Sequence, residues 1–325
     1  MNKIGRRAAL AGLVAASTMS VTRARAAVVN SAVIGSDGWL FPAWDDVRRF
    51  DAARMRQGAA LIQQAAGILK AGGIDLAIAL TPIKARLYPE FLPNDFRPGP
   101  DAEKRYGQTM QELAKSALVP DLAAAMAAAK KAYPQQLLYI KADTHWTAFG
   151  AEVCALEVAK AMQGKFRLPA STRPGVQFGQ PQLFTQEQND LAELLPAAQQ
   201  EAYPPQQFWV RPVVSAGQAS LLDDDTADVV VVGNSYMQPK YGFANVLSHT
   251  LNRPVALSWK IHRYGPYKTL LTYLQSEPFR RQRPKALVWT FRETDPEFMP
   301  DQAGIWGTNA MPPRQFLDDV KKAVG

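Results

Sequence analysis

The sequence predicts an α/β sandwich with a mainly parallel sheet, and two observations carry that expectation. Short apolar runs alternate with stretches of helical spacing along most of the chain, the order of strand–helix–strand units. The run at 229–232 is four consecutive valines, β-branched throughout and long enough for a strand covered on both faces. In an open parallel sheet, ligands bind beyond the carboxyl ends of the strands, which is where Gly233, Asn234 and Ser235 fall.

Taken in order, Gly35-Ser36-Asp37-Gly38 reads as a tight turn feeding a short strand, since Asp-Gly is a strong turn pair. Helical spacing over 51–71 stops at Gly72-Gly73. The run 74–80 (IDLAIAL) is the first core strand, closed by Thr81-Pro82, and the next stretch, 83–100, carries four prolines and reads as surface loop. Helices are expected over 101–117 and 121–132. A strand is expected at 136–141 (QLLYIK), delivering Asp143-Thr144-His145-Trp146 at its carboxyl end, with a helix over 147–163 behind it. The stretch 166–226 is rich in Pro and Gln without a sustained period and reads as a loop-rich insertion or rim. Alternation resumes with the valine strand, a helix over 241–251, a strand at 255–259, a helix over 266–276, a strand at 285–291 and a last helix at 314–324.

Residues 1–26 read as an export signal: a basic start, a mildly apolar middle and a small-residue exit at Ala24-Arg25-Ala26, with cleavage before Ala27. Adjacent Arg6-Arg7 and the weak hydrophobicity of the middle favour the twin-arginine route. The rival, an uncleaved anchor, meets an apolar run shorter than the ~20 residues a span needs. Residues 27–325 then form a single domain in the periplasm. The signal holds five basic residues (Lys3, Arg6, Arg7, Arg23, Arg25) and no acidic one, so its removal takes the formal net charge from +8 to +3. A domain so mildly basic gives no reason to invoke nucleic acid. The single cysteine, Cys154, lies in an apolar helical run, has no partner for an internal disulfide and reads as a packing residue.

A serine hydroxyl needs a base to accept its proton. Asp143 and His145 are two apart, so in an extended loop both side chains leave on the same side. The carboxylate then fixes the imidazole tautomer while the other ring nitrogen reaches Ser235, the logic of a Ser-His-Asp triad in the order Asp, His, Ser. The bland reading is a histidine satisfied in the core. The other two histidines, His249 and His262, have no acidic neighbour two residues away. No metal site is expected, since no second histidine and no cysteine pair offers ligand spacing. Trp146, Tyr236 and Tyr241 either stack on sugars or pack in the core. Lys84, Arg86 and Arg97 either meet an anionic polymer or form a solvated face.

The serine stands in Gly233-Asn234-Ser235-Tyr236, close to the Gly-Asp-Ser element of the SGNH hydrolases with Asn234 in place of the aspartate. GSDGWLF (35–41), TPIKARLYPEFLP (81–93), DTHW (143–146), GNSY (233–236), Tyr241-Gly242-Phe243, Gly265-Pro266 and PKALVW (284–289) then follow in the order seen in alginate O-acetyltransferases of the AlgX/AlgJ type, and the chain resembles that family from about Gly35 to Asp295. The resemblance implies an SGNH hydrolase-like three-layer sandwich with circularly permuted motif order. It further implies periplasmic acetyl transfer onto exopolysaccharide hydroxyls, with an acetyl-serine intermediate, no cofactor, and a membrane acyltransferase as acetyl donor. Asp143, His145 and Ser235 match the family triad, and Tyr241 matches a family tyrosine near the active centre; Asn234 falls where an oxyanion donor is needed. Two departures stand out: Arg292-Glu293-Thr294 in place of the family's Glu-Arg pair, and no match to the carbohydrate-binding module of AlgX-like members. Two rivals remain: an acetyl esterase using the same triad, and a polysaccharide-binding subunit without catalysis.

Overall fold

The computed structural model describes residues 28–214 and 227–325; the expected export signal lies outside the described residues. Four parallel strands form the central sheet in the order Val255–Trp259, Val229–Gly233, Ala286–Arg292, Asp75–Thr81. The valine strand pairs on both sides and is buried along its whole length, as is Ala286–Arg292 beside it. Two-residue alternation splits these strands between two apolar layers. Ala77, Ala79, Val229, Val231 and Val288 face one layer, built with Cys154, Ala155 and Val158 of the helix Ala148–Lys165 and with Leu247 of Phe243–Leu251. Ile78, Leu80, Val230, Val232 and Trp289 face the other, with Ile62 and Leu69 of Ala52–Ala71, Leu270 of Gly265–Leu274 and Phe316 of Pro313–Val324. The fold is therefore a three-layer α/β sandwich, helices covering both faces of a parallel sheet.

Local chemistry explains the helix limits. Asp51 caps Ala52–Ala71 by accepting from Ala53 and Arg54 N–H, and Gly72 ends the helix. Thr147 caps Ala148–Lys165 by accepting from Gly150 N–H. Helix Phe243–Leu251 opens after Gly242, whose φ of 78° is left-handed and suits glycine. Cys154 is fully buried, and burial pushes its thiol up, as suits a packing residue. Among the described residues no helix is long and apolar enough to cross a membrane.

One expected strand is absent. The segment 136–141 does not join the sheet; beyond Asp75–Thr81 the edge is met instead by Leu118, bridged in parallel to Ala77. QLLYIK has strand composition, but its polar backbone groups find other partners. Tyr139 bridges antiparallel to Trp146, Ile140 N–H donates to the His145 carbonyl, and Thr147 N–H to the Leu138 carbonyl, closing a small hairpin. Tyr88 Oη accepts from Leu138 N–H at 2.9 Å, and Gln206 Oε1 accepts from Lys141 N–H at 2.8 Å. The carbonyls of Ile140, Lys141 and Asp143 accept from Lys84 Nζ at 3.0, 2.9 and 2.7 Å. Lys84 is only 1% exposed, so it is neither a polymer-facing cation nor part of a solvated face.

The stretch expected to be loop-rich holds two antiparallel ribbons over its described part, Gln182–Gln186 with Gln206–Val210 and Gln177–Phe178 with Val213–Val214, neither in the central sheet. Its polar, glutamine-rich strands hide their pairing pattern from a search for apolar periodicity.

Lys84→Met is expected to lower stability by about 3 kcal/mol, because three carbonyls lose a donor at roughly 1 kcal/mol or more each. Urea unfolding measures it; a loss below about 1 kcal/mol would mean the hairpin is held by its other bonds.

Candidate active site

The valine strand ends at Gly233, whose φ is not left-handed. The glycine is required by space instead: a Cβ there would collide with Thr290 Oγ1 and Met237 Cγ. Asn234 follows as the cap of a short 3₁₀ turn, Ser235–Met237, its Oδ1 accepting from Tyr236 N–H at 3.0 Å. With Oδ1 so engaged, Nδ2 is the remaining, donor end of the Asn234 amide. Ser235 itself is half-buried.

The hairpin carries its histidine to that serine. His145 Nε2 lies 2.8 Å from Ser235 Oγ, and His145 Nδ1 lies 2.7 Å from Asp143 Oδ1. The same Oδ1 accepts His145 backbone N–H at 2.8 Å. A carboxylate oxygen only accepts, so Nδ1 carries the proton and Nε2 presents its lone pair to the hydroxyl. Asp143 and His145 thus meet through a tight turn rather than an extended loop. Burial pulls the Asp143 carboxyl upward, but the His145 hydrogen bond and charge outweigh it and hold the group below its ordinary value.

Three residues absent from the sequence-based site complete this arrangement, all from the ribbon region and the turn after the serine. Asp190 N–H donates to Asp143 Oδ2 at 3.1 Å, while Asp190 Oδ1 accepts from Thr144 N–H at 2.6 Å and its Oδ2 lies 3.7 Å from His145 Nδ1. Burial, then the Asp143 charge, raise the Asp190 carboxyl. Gln186 Nε2 reaches Asp143 Oδ2 at 3.4 Å, and Lys240 Nζ donates to Gln186 Oε1 at 3.1 Å. Gln186 and Asp190 sit in an aperiodic polar stretch, and nothing in local spacing ties them to DTHW. Burial pushes the Lys84 ammonium down to about 7, opposed by the charges of Asp143, Asp190 and Asp45; three carbonyl acceptors around one Nζ also favour the charged form.

The three aromatics expected near substrate are buried: Trp146, Tyr236 and Tyr241 are 0%, 2% and 1% exposed. None offers a face on which a sugar could stack. Trp146 Nε1 donates to the Tyr236 carbonyl and Tyr236 Oη to the Thr144 carbonyl, both at 2.8 Å. The Tyr241 ring lies against His145, centroids 5.6 Å apart and planes 24° from parallel. Its hydroxyl has no hydrogen-bond partner among the described residues, and burial raises its pKa so that it stays a neutral donor. Arg86 is bidentate to the buried Glu293 at 2.7 and 2.8 Å, while Arg97 is exposed.

Arg292 pairs with Asp45 at 2.8 Å and Asp295 at 2.9 Å, and donates to His262 Nε2 at 2.9 Å. Burial and the guanidinium push His262 down to about 4, leaving a neutral acceptor. The ligand-type atoms of Asp143, His145 and Asp190 lie within 4.8 Å of one another. Yet His145 Nδ1 is already hydrogen-bonded to Asp143, which matches a proton relay better than a metal cage. Base and hydroxyl thus meet at the distance that acyl transfer through a serine requires.

The SGNH hydrolase-like domain of the acetyltransferase AlgX matches residues 32–293. The probable alginate O-acetylase AlgJ of Pseudomonas putida is 32% identical over 283 residues, which cover 80% of this chain and 69% of that one. The Pseudomonas fluorescens AlgJ is 30% identical over 282 residues, 80% of this chain and 67% of the relative. Among solved structures, the O-acetyltransferase domain of Pseudomonas putida AlgJ aligns with a TM-score of 0.71 at 28% identity, over 90% of this chain and 99% of that one. The Pseudomonas aeruginosa AlgX structure aligns at 0.63 with 21% identity, over 89% of this chain and 66% of the other, a likeness of fold. This chain belongs to the SGNH hydrolase-like acetyltransferase family of AlgX and AlgJ.

Proposed function

We propose that this protein acetylates hydroxyl groups of an exopolysaccharide in the periplasm, through an acetyl-serine at Ser235. The observation that carries the reading is the chain Asp143 Oδ1–His145–Ser235 Oγ, with both links inside hydrogen-bond distance at 2.7 and 2.8 Å. Family membership supports the acetyl group, and the relatives named as alginate O-acetylases support a glycan acceptor, alginate first among candidates. The expected export signal supports the compartment.

In the first half-reaction His145 Nε2 takes the Ser235 proton as Oγ bonds the donor's acetyl carbon. The tetrahedral intermediate collapses, the donor's leaving group departs with that proton, and acetyl-serine remains. In the second, a glycan hydroxyl gives its proton to Nε2 and attacks the ester carbonyl, and Ser235 leaves and regains the proton. The Ser235 N–H, the Asn234 amide and the Tyr241 hydroxyl are the donors for the oxyanion; one such donor is typically worth about 10²–10³ in rate. Acetyl-CoA is cytoplasmic, so a membrane acyltransferase supplies the acetyl group.

Ser235→Ala should abolish transfer, and mass spectrometry of wild type exposed to an activated acetyl ester should find one acetyl group on the Ser235 peptide. A labelled peptide elsewhere, with Ser235 unmodified, would sink the mechanism. Ester loss that an added oligosaccharide neither speeds nor diverts would favour an esterase. Asp143→Asn should cut the rate roughly 10³–10⁴-fold by presenting the wrong tautomer. The lowered Asp143 carboxyl gives a pH test as well. Its contribution to stability is present above its ordinary value of 3.8 and lost as pH falls through the lowered one. Urea midpoints of wild type and Asp143→Asn should therefore differ near neutrality and converge in acid.

A further inference from the structure

With Trp146, Tyr236 and Tyr241 all buried, another surface must hold an acceptor chain. Trp209 is 59% exposed. It lines two adjoining cavities of about 510 and 680 Å³, and the larger of them also takes in Lys240 and Tyr241, the latter packed on His145. Phe149 lines both cavities as well, and Tyr133, exposed beyond it, stands edge-on to Phe149 at 5.6 Å.

The ribbon fixes how far Trp209 stands from the chemistry. Gln186 pairs with Gln206 at one end, and Gln186 is also hydrogen-bonded to Asp143. Three pairs along, Leu183 faces Trp209, so at ~3.3 Å per residue the indole is carried about 10 Å from that anchor. Alternation turns Phe184 and Phe208 to the inner side, where their rings meet at 5.3 Å, and leaves Leu183 and Trp209 on the outer side. The platform is therefore anchored to the site by its own strands.

The lining is the kind that recognises carbohydrate. Flat aromatic faces accept the C–H side of a pyranose, and the Gln136 amide, the Gln206 amide nitrogen and the Gln207 amide oxygen offer donors and acceptors to hydroxyls, the other ends of Gln206 and Gln207 being bonded to Lys141 and Thr185. Arg211 is neutralised by Glu152 at 2.6 Å, whereas Lys141, donating to the Asp37 carbonyl, keeps its positive charge. Lys240, bonded to a neutral amide, remains at the end nearest His145, where it suits the carboxylate of an acidic sugar. We propose that the surface from Tyr133 across Phe149 and Trp209 to Lys240 seats the acceptor glycan, with Trp209 as its stacking platform. The proposal rests on the acyl-transfer reading above and adds to it where the acceptor lies.

The test compares wild type with Trp209→Ala and Trp209→Phe in two assays, turnover of a small activated acetyl ester and acetyl transfer to an alginate hexasaccharide. Trp209→Ala should leave ester turnover unchanged and raise KM for the hexasaccharide roughly tenfold with kcat retained, since one aromatic contact is worth about 1 kcal/mol or somewhat more. Trp209→Phe should recover most of the loss. A KM within about twofold of wild type overturns the acceptor surface and leaves the acetyl-serine mechanism standing. If wild type transfers nothing to the hexasaccharide, the transferase reading fails by itself. Calorimetric titration of the hexasaccharide then decides the surface: binding that Trp209→Ala abolishes supports it, and no binding to wild type, or binding indifferent to the substitution, overturns it.

Discussion

The site depends on a reciprocal clasp between two segments 90 residues apart. Trp146, next to His145, donates its indole N–H to the carbonyl of Tyr236, next to Ser235; Tyr236 returns its hydroxyl to the carbonyl of Thr144 on the other side of His145. Both side chains are buried, so water does not compete for these bonds, and breaking either strands a polar group at a cost of roughly 1–3 kcal/mol. Each member also packs on others: Trp146 stacks on Phe243 at 5.8 Å, and Tyr236 meets Tyr139 edge-on at 6.5 Å. The 2.8 Å approach of imidazole to hydroxyl is thereby fixed before any substrate arrives, and its entropy cost falls on folding rather than on the reaction.

The clasp also explains what could be read in the sequence. The valine strand, the Asp51 cap and the helix Ala148–Lys165 follow local rules, because burial on two faces, a carboxylate at an N-terminus and apolar spacing leave marks within a few residues. Asp143, His145 and Ser235 carry local marks too, an acid two residues from a histidine and a serine past a strand, although a tight turn and not the extended loop unites the first two. QLLYIK misleads because composition sets strand propensity, whereas tertiary partners decide where its backbone bonds go. Lys84, Gln186 and Asp190 were silent. A lysine that fills three carbonyls looks like any surface lysine until its burial is known, and a carboxylate brought across 47 positions has no local signature. The aromatics, open between sugar and core in the sequence, pack in the core, since proximity to a motif does not say which way a ring faces.

Around His145 stand two carboxyl groups, and their surroundings push them apart. Asp143 accepts from His145 Nδ1–H and backbone N–H, from Asp190 N–H and from Gln186, and is held low. Asp190 accepts one backbone N–H within this cluster and is held high by partial burial and by the neighbouring Asp143 charge. One firmly anionic group thus sits at Nδ1, beside a second that burial and this neighbour make harder to ionise. The Lys84 ammonium beneath the hairpin offsets the remaining field through the turn it holds together. On the proposed mechanism, an imidazolium formed as Ser235 attacks would be met by a fixed negative charge. The imidazole itself is oriented by the Nδ1 bond to Asp143 Oδ1 and by the backbone N–H bond to the same oxygen.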